Sequence, residues 1–326
     1  MNSIQTALDA CATNDTVLVG SGIYYENIVW PSTQGIGLTS EYGTDTTIID
    51  GSLVTSAVKI STAVDSTTII HGFTIQNGRY IDGRGIGLFT NSSPNIIGNS
   101  ITNNSASAVG GGGIACYVSC SPLIRHNTIF SNVGDTGAGI ACRLLCNPHI
   151  DSCNIIDNTG DGIYCDYISN PVVNYNNICD NAGYGMCNLD SVVMVDAENN
   201  WWDDPSGPGG AGPGTGDSVN QWVDFDPWLT QPGAREQQQL SITDQEPTIM
   251  VPTILSGTIL PFTINQSSSI CIRLFNITGR ECWSAERATY ESGSHTLNLP
   301  KFAAGIYFLW CKIDHQKEVH RILFIR

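Results

Sequence analysis

Tyr117, Arg143 and Asp166 recur along the chain at nearly regular intervals, with Phe89 one such interval before Tyr117 and Leu189 one after Asp166. A ring, a guanidinium and a carboxylate on one surface would form a saccharide-binding strip. The ring stacks on the apolar face of a sugar, and the charges bond hydroxyls or uronate groups. Arg125 and Asp151, with Ile97 and Asn174, recur with the same spacing and make a second row. A solvated face of neighbouring Arg–Asp pairs, each contributing little, is the competing reading of both rows. Asp135, Asp157, Asp161 and Asp180 add carboxylates near turns and loops. A hydrolase would need two of them at a set separation. His71, His126 and His149 share no row and read as surface or turn histidines. Asp203, Asp204, Asp217, Asp224 and Asp226 surround a Gly-rich loop. Hard oxygen ligands in a loop can hold Ca²⁺, while aspartates are also ordinary turn formers. No other cofactor is expected.

The intervals between these residues are those of an internal repeat. Pro94-Asn95-Ile96-Ile97-Gly98-Asn99-Ser100-Ile101 returns from Pro122, Pro148 and Pro171, the interval shrinking slightly at each return. An asparagine follows each proline at a constant distance: Asn104, Asn132, Asn158 and Asn181. A second phrase, Gly85-Ile86-Gly87-Leu88, returns from Gly113, Gly139, Gly162 and, degenerately, Gly185 in the same phase. Apolar runs of three to five residues, split by Asn, Gly or Pro, are strands and not helices. A unit this short cannot bury its apolar side alone, so copies must stack. The expected fold is all-β: a right-handed parallel β-helix followed by a small antiparallel β-sandwich. Coils then rise by the strand spacing of about 4.8 Å. Ile101, Ile129, Ile155 and Ile178 become one inward column, and Ile114, Ile140 and Ile163 another. Asparagine suits the turns because it tolerates left-handed angles, and stacked amides can bond one another along the axis.

The β-helix is expected over residues 1–229, a polar linker over 230–248 and the sandwich over 249–326. Up to Leu229 there are 22 acids and 5 bases, and from Thr230 on 8 acids and 9 bases, so two chemically different parts are joined. A short amphipathic helix over Ile4 to Ala10 would cover the first coil, whose open strand edges invite aggregation. Trp201, Trp202, Trp222 and Trp228 would plug the far end. A net charge of −16 argues against nucleic acid. No run approaches the length of a membrane span. A monomer is expected.

The run from Asp15 to Ile28 resembles the opening of pectate-lyase-like β-helix proteins. Asn199 to Pro208 and Val223 to Leu229 resemble the closing segment of bacterial β-helix repeat proteins. This resemblance covers the chain as far as Leu229 and implies carbohydrate chemistry. The Gly-His-Gly and paired-Asp motifs of polygalacturonases are absent from the coils, as is the Arg-x-Pro-x-x-Arg motif of pectate lyases. No catalytic residue is therefore carried over. Leu274 to Arg280, Gly293-Ser294-His295 and Ala304-Gly305-Ile306-Tyr307, with Arg321 and Arg326, resemble the sorting domain of type IX secretion cargo and the related flagellar-hook-cap immunoglobulin-like domain. The Asn-Pro usual at the domain's entry is replaced by Pro261-Phe262. The resemblance implies an exported or cell-surface protein whose tail engages secretion machinery. Export calls for a leader, and the chain opens Met1-Asn2-Ser3-Ile4 without an apolar segment, so a truncated start is expected.

Nine of the 12 cysteines lie in the β-helix. Cys116, Cys142 and Cys165 share one row, and Cys120 and Cys146 another. Small inward packing residues are the favoured reading. Cys120 with Cys146, near a turn, is the best disulfide candidate. The functional expectation is a polysaccharide-binding protein, with Tyr117, Arg143, Asp166, Arg125 and Asp151 as contact residues. An active lyase or glycoside hydrolase, or a structural spacer or adhesin, are the alternatives.

Overall fold

The computed structural model describes residues 3–80, 84–106, 110–233, 249–251, 254–264, 267–276, 280–285, 287–313 and 316–325. The chain divides into two compact units, Met1–Ala234 and Arg235–Arg326.

The first unit is a parallel β-helix with three long sheets, each built from one strand per coil, and a two-stranded sheet of Arg79–Tyr80 and Ser105–Ala106. The first sheet runs from Thr16–Val19 to Val223–Asp224, and the second from Gly22–Tyr25 to Asn177–Cys179. The third starts at Ile28–Val29 and ends on Gly216–Val219 and Pro208–Gly210. The coil is right-handed, as parallel crossovers between twisted strands almost always are. The registry is that of the repeat. Ile101, Ile129, Ile155 and Ile178 are direct partners in the second sheet, and Ile114, Ile140 and Ile163 in the third. All seven are fully buried. A third column in the first sheet, Ile70, Ile96, Ile124, Ile150 and Val173, completes the core. Each such side chain contributes roughly 1.5–3 kcal/mol by leaving water.

The corners explain the polar repeat. Asn103, Ser131, Asp157 and Asp180 hold the left-handed conformation after the second sheet. The repeated asparagine is the next residue and does not need that conformation, contrary to the expectation from turn chemistry. Its amide is the reason for its recurrence. Asn104 Nδ2 donates to Asn132 Oδ1 (3.0 Å), Asn132 to Asn158 (3.1 Å), and Asn158 to Asn181 (3.0 Å). The ladder ends on the Asp217 carboxylate (2.9 Å). Each Oδ1 also accepts the backbone N–H of the preceding asparagine, as Asn132 does from Asn104 (3.1 Å). A second ladder, Asn99, Asn127, Cys153, Asn176 and Asn200, occupies the corner between the first and second sheets.

Both ends are closed. The helix Ile4–Asp9 buries Ile4 and Leu8. Glu26 accepts from the Ile4 and Gln5 N–H groups (2.8 and 2.9 Å), satisfying orphan donors of the first turn. The Gln5 side-chain amide donates to Val29 O (2.9 Å) and accepts from Val29 N (2.8 Å), so it pairs the open edge of the third sheet. At the far end only Trp201 and Trp202 are buried. Trp222 and Trp228 are half-buried, Trp228 packing against the outside of the core.

The second unit has a three-stranded sheet (Ile249–Met250, Ile259–Ile264, Gly293–Asn298) and a larger one centred on Ser268–Asn276, Gly305–Ile313 and Gln316–Ile325. Leu260, Phe262, Ile272, Leu274, Leu309 and Phe324 are among its buried residues. One strand departs from the antiparallel expectation: Ile254–Ser256 pairs parallel with Leu323–Ile325. Residues 277–279 of the segment Leu274 to Arg280, and the expected linker from residue 234 to 248, lie outside the described residues.

Candidate functional site

Phe89, Tyr117, Arg143 and Asp166 are successive partners in the third sheet. They close their strands, one residue before the corner, and face outward because their neighbours Leu88, Cys116, Cys142 and Cys165 face the core. The Phe89 and Tyr117 rings stack with centroids 5.8 Å apart and planes 19° from parallel. Arg143 donates from Nε (2.8 Å) and Nη2 (2.7 Å) to Asp166 Oδ2. The Arg143 guanidinium also lies 5.8 Å from the Tyr117 ring, 6.0 Å from Tyr164 and 5.7 Å from Tyr167. Burial works against the Arg143 charge, but its bonds to Asp166 and Tyr117 outweigh that and hold its pKa above the ordinary guanidinium value.

The face is not the open, solvated one expected from the alternation. Asp166 is only 6% exposed, and Tyr164 is buried beside it, donating its hydroxyl to Asp166 Oδ2 (3.1 Å). Burial, with the neighbouring Asp166 charge, pushes the Tyr164 phenol up. Asp166 Oδ1 is buried and bonds no described residue. Glycines of the loops that precede the strands Ile114–Tyr117 and Ile140–Arg143 lie close against this sheet. A side chain on Gly111 or Gly137 would run into Ala141, which lies in the outward row beside the strip. Gly110 reaches the other end of the strip: a Cβ there would stand 3.1 Å from Arg84 Nη2 and 3.4 Å from Tyr117 Oη.

Arg84, Lys59, Tyr164 and Tyr167 were missed by sequence reasoning. Arg84 is 3% exposed, and its guanidinium lies 5.3 Å from Phe89 and 4.7 Å from Tyr117. Lys59 Nζ lies 5.5 Å from Phe89. Lys59 and Tyr164 belong to the second outward row, Lys59, Gly87, Ala115, Ala141 and Tyr164, whose phase was legible from the Gly85-Ile86-Gly87-Leu88 phrase. Arg84 precedes the phrase and carried no periodic signal.

The corner after this strip is apolar and exposed. Val118 and Ser119, Leu144 and Leu145, and Tyr167 and Ile168 take consecutive left-handed conformations, with φ between 48° and 64°. Left-handed backbone costs an L-residue roughly 1–2 kcal/mol, and branched side chains rarely adopt it. All but Ser119 are exposed, Tyr167 to 60%.

The remaining sequence-predicted residues are placed elsewhere. Arg125 and Asp151 pair in the first sheet, Nε to Oδ2 at 2.8 Å, in one row with His71, Ile97 and Asn174 and with no Phe, Tyr or Trp among these residues. The two strips are thus on different sheets. His126 and His149 are exposed, and burial lowers the pKa of His71. Asp157 and Asp180 hold corners, Asp135 is exposed, and Asp161 accepts from the Tyr184 N–H (2.8 Å). Of the five aspartates near the Gly-rich loop, Asp203 and Asp217 stay within electrostatic reach of each other and of Asp180, and burial, with these like charges, raises the pKa of both. Asp217 ends the amide ladder, Asp204 accepts from Ser206 N (2.8 Å), and Asp224 extends the first sheet. Among the described residues no group of three His, Cys, Asp or Glu is arranged to hold a metal ion.

All twelve cysteines are free thiols. Cys116, Cys142 and Cys165 are stacked inward. The Cys120 N–H donates to Cys146 Sγ (3.3 Å), so this pair is stacked without being bridged. Burial pushes the Cys153 thiol up to about 12, which suppresses its reactive thiolate. Alkylation of the unfolded chain without reductant should therefore add twelve labels, whereas the folded chain should react first at exposed Cys282. Ten labels on the unfolded chain would reveal a bridge.

Residues 109–218 match the family model described as the right handed beta helix region, and residues 259–325 match the secretion system C-terminal sorting domain. The chain is therefore a right-handed β-helix repeat protein carrying a C-terminal secretion sorting domain. That domain points to export or to the cell surface, and implies interaction with secretion machinery. Among the described residues no helix is long and apolar enough to cross a membrane. A search of curated proteins found no match. Among solved structures, the enzymatically active domain of tailspike protein 2 of bacteriophage CBA120 aligns at 10% identity over 98% of this chain and 73% of that one, with a TM-score of 0.27. The corresponding domain of tailspike protein 4 aligns at 10% identity over 95% and 64%, with a TM-score of 0.17. Likenesses this weak bear on neither fold nor function.

Proposed function

We propose that the protein is an exported, polysaccharide-binding β-helix, and that the glycan lies along the helix axis on the third sheet. The observation that carries this reading is the in-register ladder of Phe89, Tyr117, Arg143 and Asp166. Stacked rings offer flat apolar surface, and a fixed guanidinium–carboxylate pair offers oriented polar contacts, the combination that saccharide recognition uses. The exposed ridge of Val118, Leu144, Leu145, Tyr167 and Ile168 widens the apolar surface. Bulky residues kept at strained, solvent-facing positions favour a contact surface over a mere turn. Arg125 and Asp151 share their row with no Phe, Tyr or Trp and offer a sugar no such stacking surface.

A glycan array probed with the full chain, with Tyr117→Ala and with Arg143→Ala tests this. Each substitution should weaken binding at least about tenfold, the equivalent of roughly 1.4 kcal/mol. Unchanged affinity in both variants would discard the strip. Release of reducing ends or unsaturated products from a bound glycan would move the protein from binder to enzyme.

A further inference from the structure

We infer that the third-sheet site selects uncharged, hydroxyl-rich glycans over uronate or sulfated ones, with Asp166 Oδ1 accepting a sugar hydroxyl. This rests on the polysaccharide reading above and specifies its ligand class.

Three observations lead to it. First, the guanidinium at the centre of the strip is already committed. Arg143 holds Asp166 Oδ2 through both Nε and Nη2, with side-chain exposures of 14% and 8%. An incoming carboxylate would have to displace a buried charge-assisted pair to reach it. Second, the polar atom left over is an acceptor. Asp166 Oδ1 is buried and bonds no described residue, while Oδ2 takes Arg143 and the Tyr164 hydroxyl. A buried acceptor without a donor is costly. A hydroxyl satisfies it, and a carboxylate or sulfate oxygen placed there would meet a like charge. Third, the unit as a whole is acidic. The residues up to Leu229 carry 22 acids against 5 bases, which repels a polyanion at range, and of the bases that do stand on the strip Arg84 is buried against the rings and Arg143 is held by Asp166. Lys59, the exposed cation of this face, sits four coils from Asp166, against the Phe89 ring. It lies roughly 19 Å away at the usual strand spacing.

The test compares the full chain with galactan, glucan and mannan against polygalacturonate and dextran sulfate, at low salt and at about 0.15 M salt. The expected result is binding to at least one neutral polymer, with affinity changing by less than about twofold between the two salts. Asp166→Asn should weaken that binding about tenfold. It should also release Arg143 to bind the polyanions in a salt-sensitive way. The wild-type comparison stands without the variant, so a misfolded Asp166→Asn chain leaves the inference exposed to refutation. Preference of the wild type for a polyanion, falling steeply with salt, would overturn the inference and leave polysaccharide binding intact. Binding to no polymer of either class would remove both.

Discussion

Asn132→Leu is expected to destabilise the β-helix by about 4 kcal/mol, read as a lower denaturant midpoint of the first unit. Asn132 Nδ2 donates to Ile101 O (2.9 Å) and Asn158 Oδ1 (3.1 Å), and its Oδ1 accepts both Nδ2 (3.0 Å) and N (3.1 Å) of Asn104. Leucine keeps the branched skeleton, with bulkier methyl groups, and removes every one of these bonds. Each buried group left without a partner costs roughly 1–3 kcal/mol, and part of that is recovered by local relaxation. The break is interior, so coils on both sides lose registry. A loss below about 1 kcal/mol would mean that the ladder is incidental to the packing. Asn132→Asp separates charge from shape, because it keeps the acceptor and removes the donor.

Gly113→Ala should cost about 3 kcal/mol, the upper end of the usual overpacking range. The glycines at 85, 113, 139 and 162 recur because the next coil comes close at this point. A Cβ on Gly113 would stand 2.6 Å from the Gly139 carbonyl oxygen, 2.9 Å from Ile129 Cγ2 and 3.1 Å from Asn132 Nδ2. The nearest of these is backbone held in the stack, and it cannot swing aside as the end of a flexible side chain would. Equilibrium unfolding of Gly113→Ala beside Gly43→Ala is the informative comparison. Gly43 has nothing within 4 Å but sits at φ +81°, so its substitution reports conformational strain alone. A smaller loss at Gly113 than at Gly43 would show that the coils separate without penalty.

The architecture was legible because a solenoid repeats its neighbours. Two phrases that return in one phase put matching side chains over one another, so the isoleucine columns and the outward row through Tyr117, Arg143 and Asp166 followed from counting alone. Recurrence left two reasons open for the asparagines, turn geometry and amides stacked along the axis. The ladder bears out the second, while the left-handed positions belong to Asn103, Ser131, Asp157 and Asp180, one residue earlier. Cys153 stands in an asparagine row and keeps the ladder running through its sulfur and backbone N–H. One-letter similarity does not disclose that substitution.

What the sequence by itself determined is therefore the length of each coil, the sheet each strand joins and the face each side chain takes, since all three follow from period and alternation. What only the tertiary structure decided is the environment of the strip. Loops of unequal length carry no period, and their folding over the third sheet sets Gly110 against Arg84 and Tyr117 and Gly111 against Ala141. Beside these contacts, Arg143 and Tyr164 bond Asp166, which is only 6% exposed and keeps one carboxylate oxygen without a described donor. The loop contacts join segments that share no repeat.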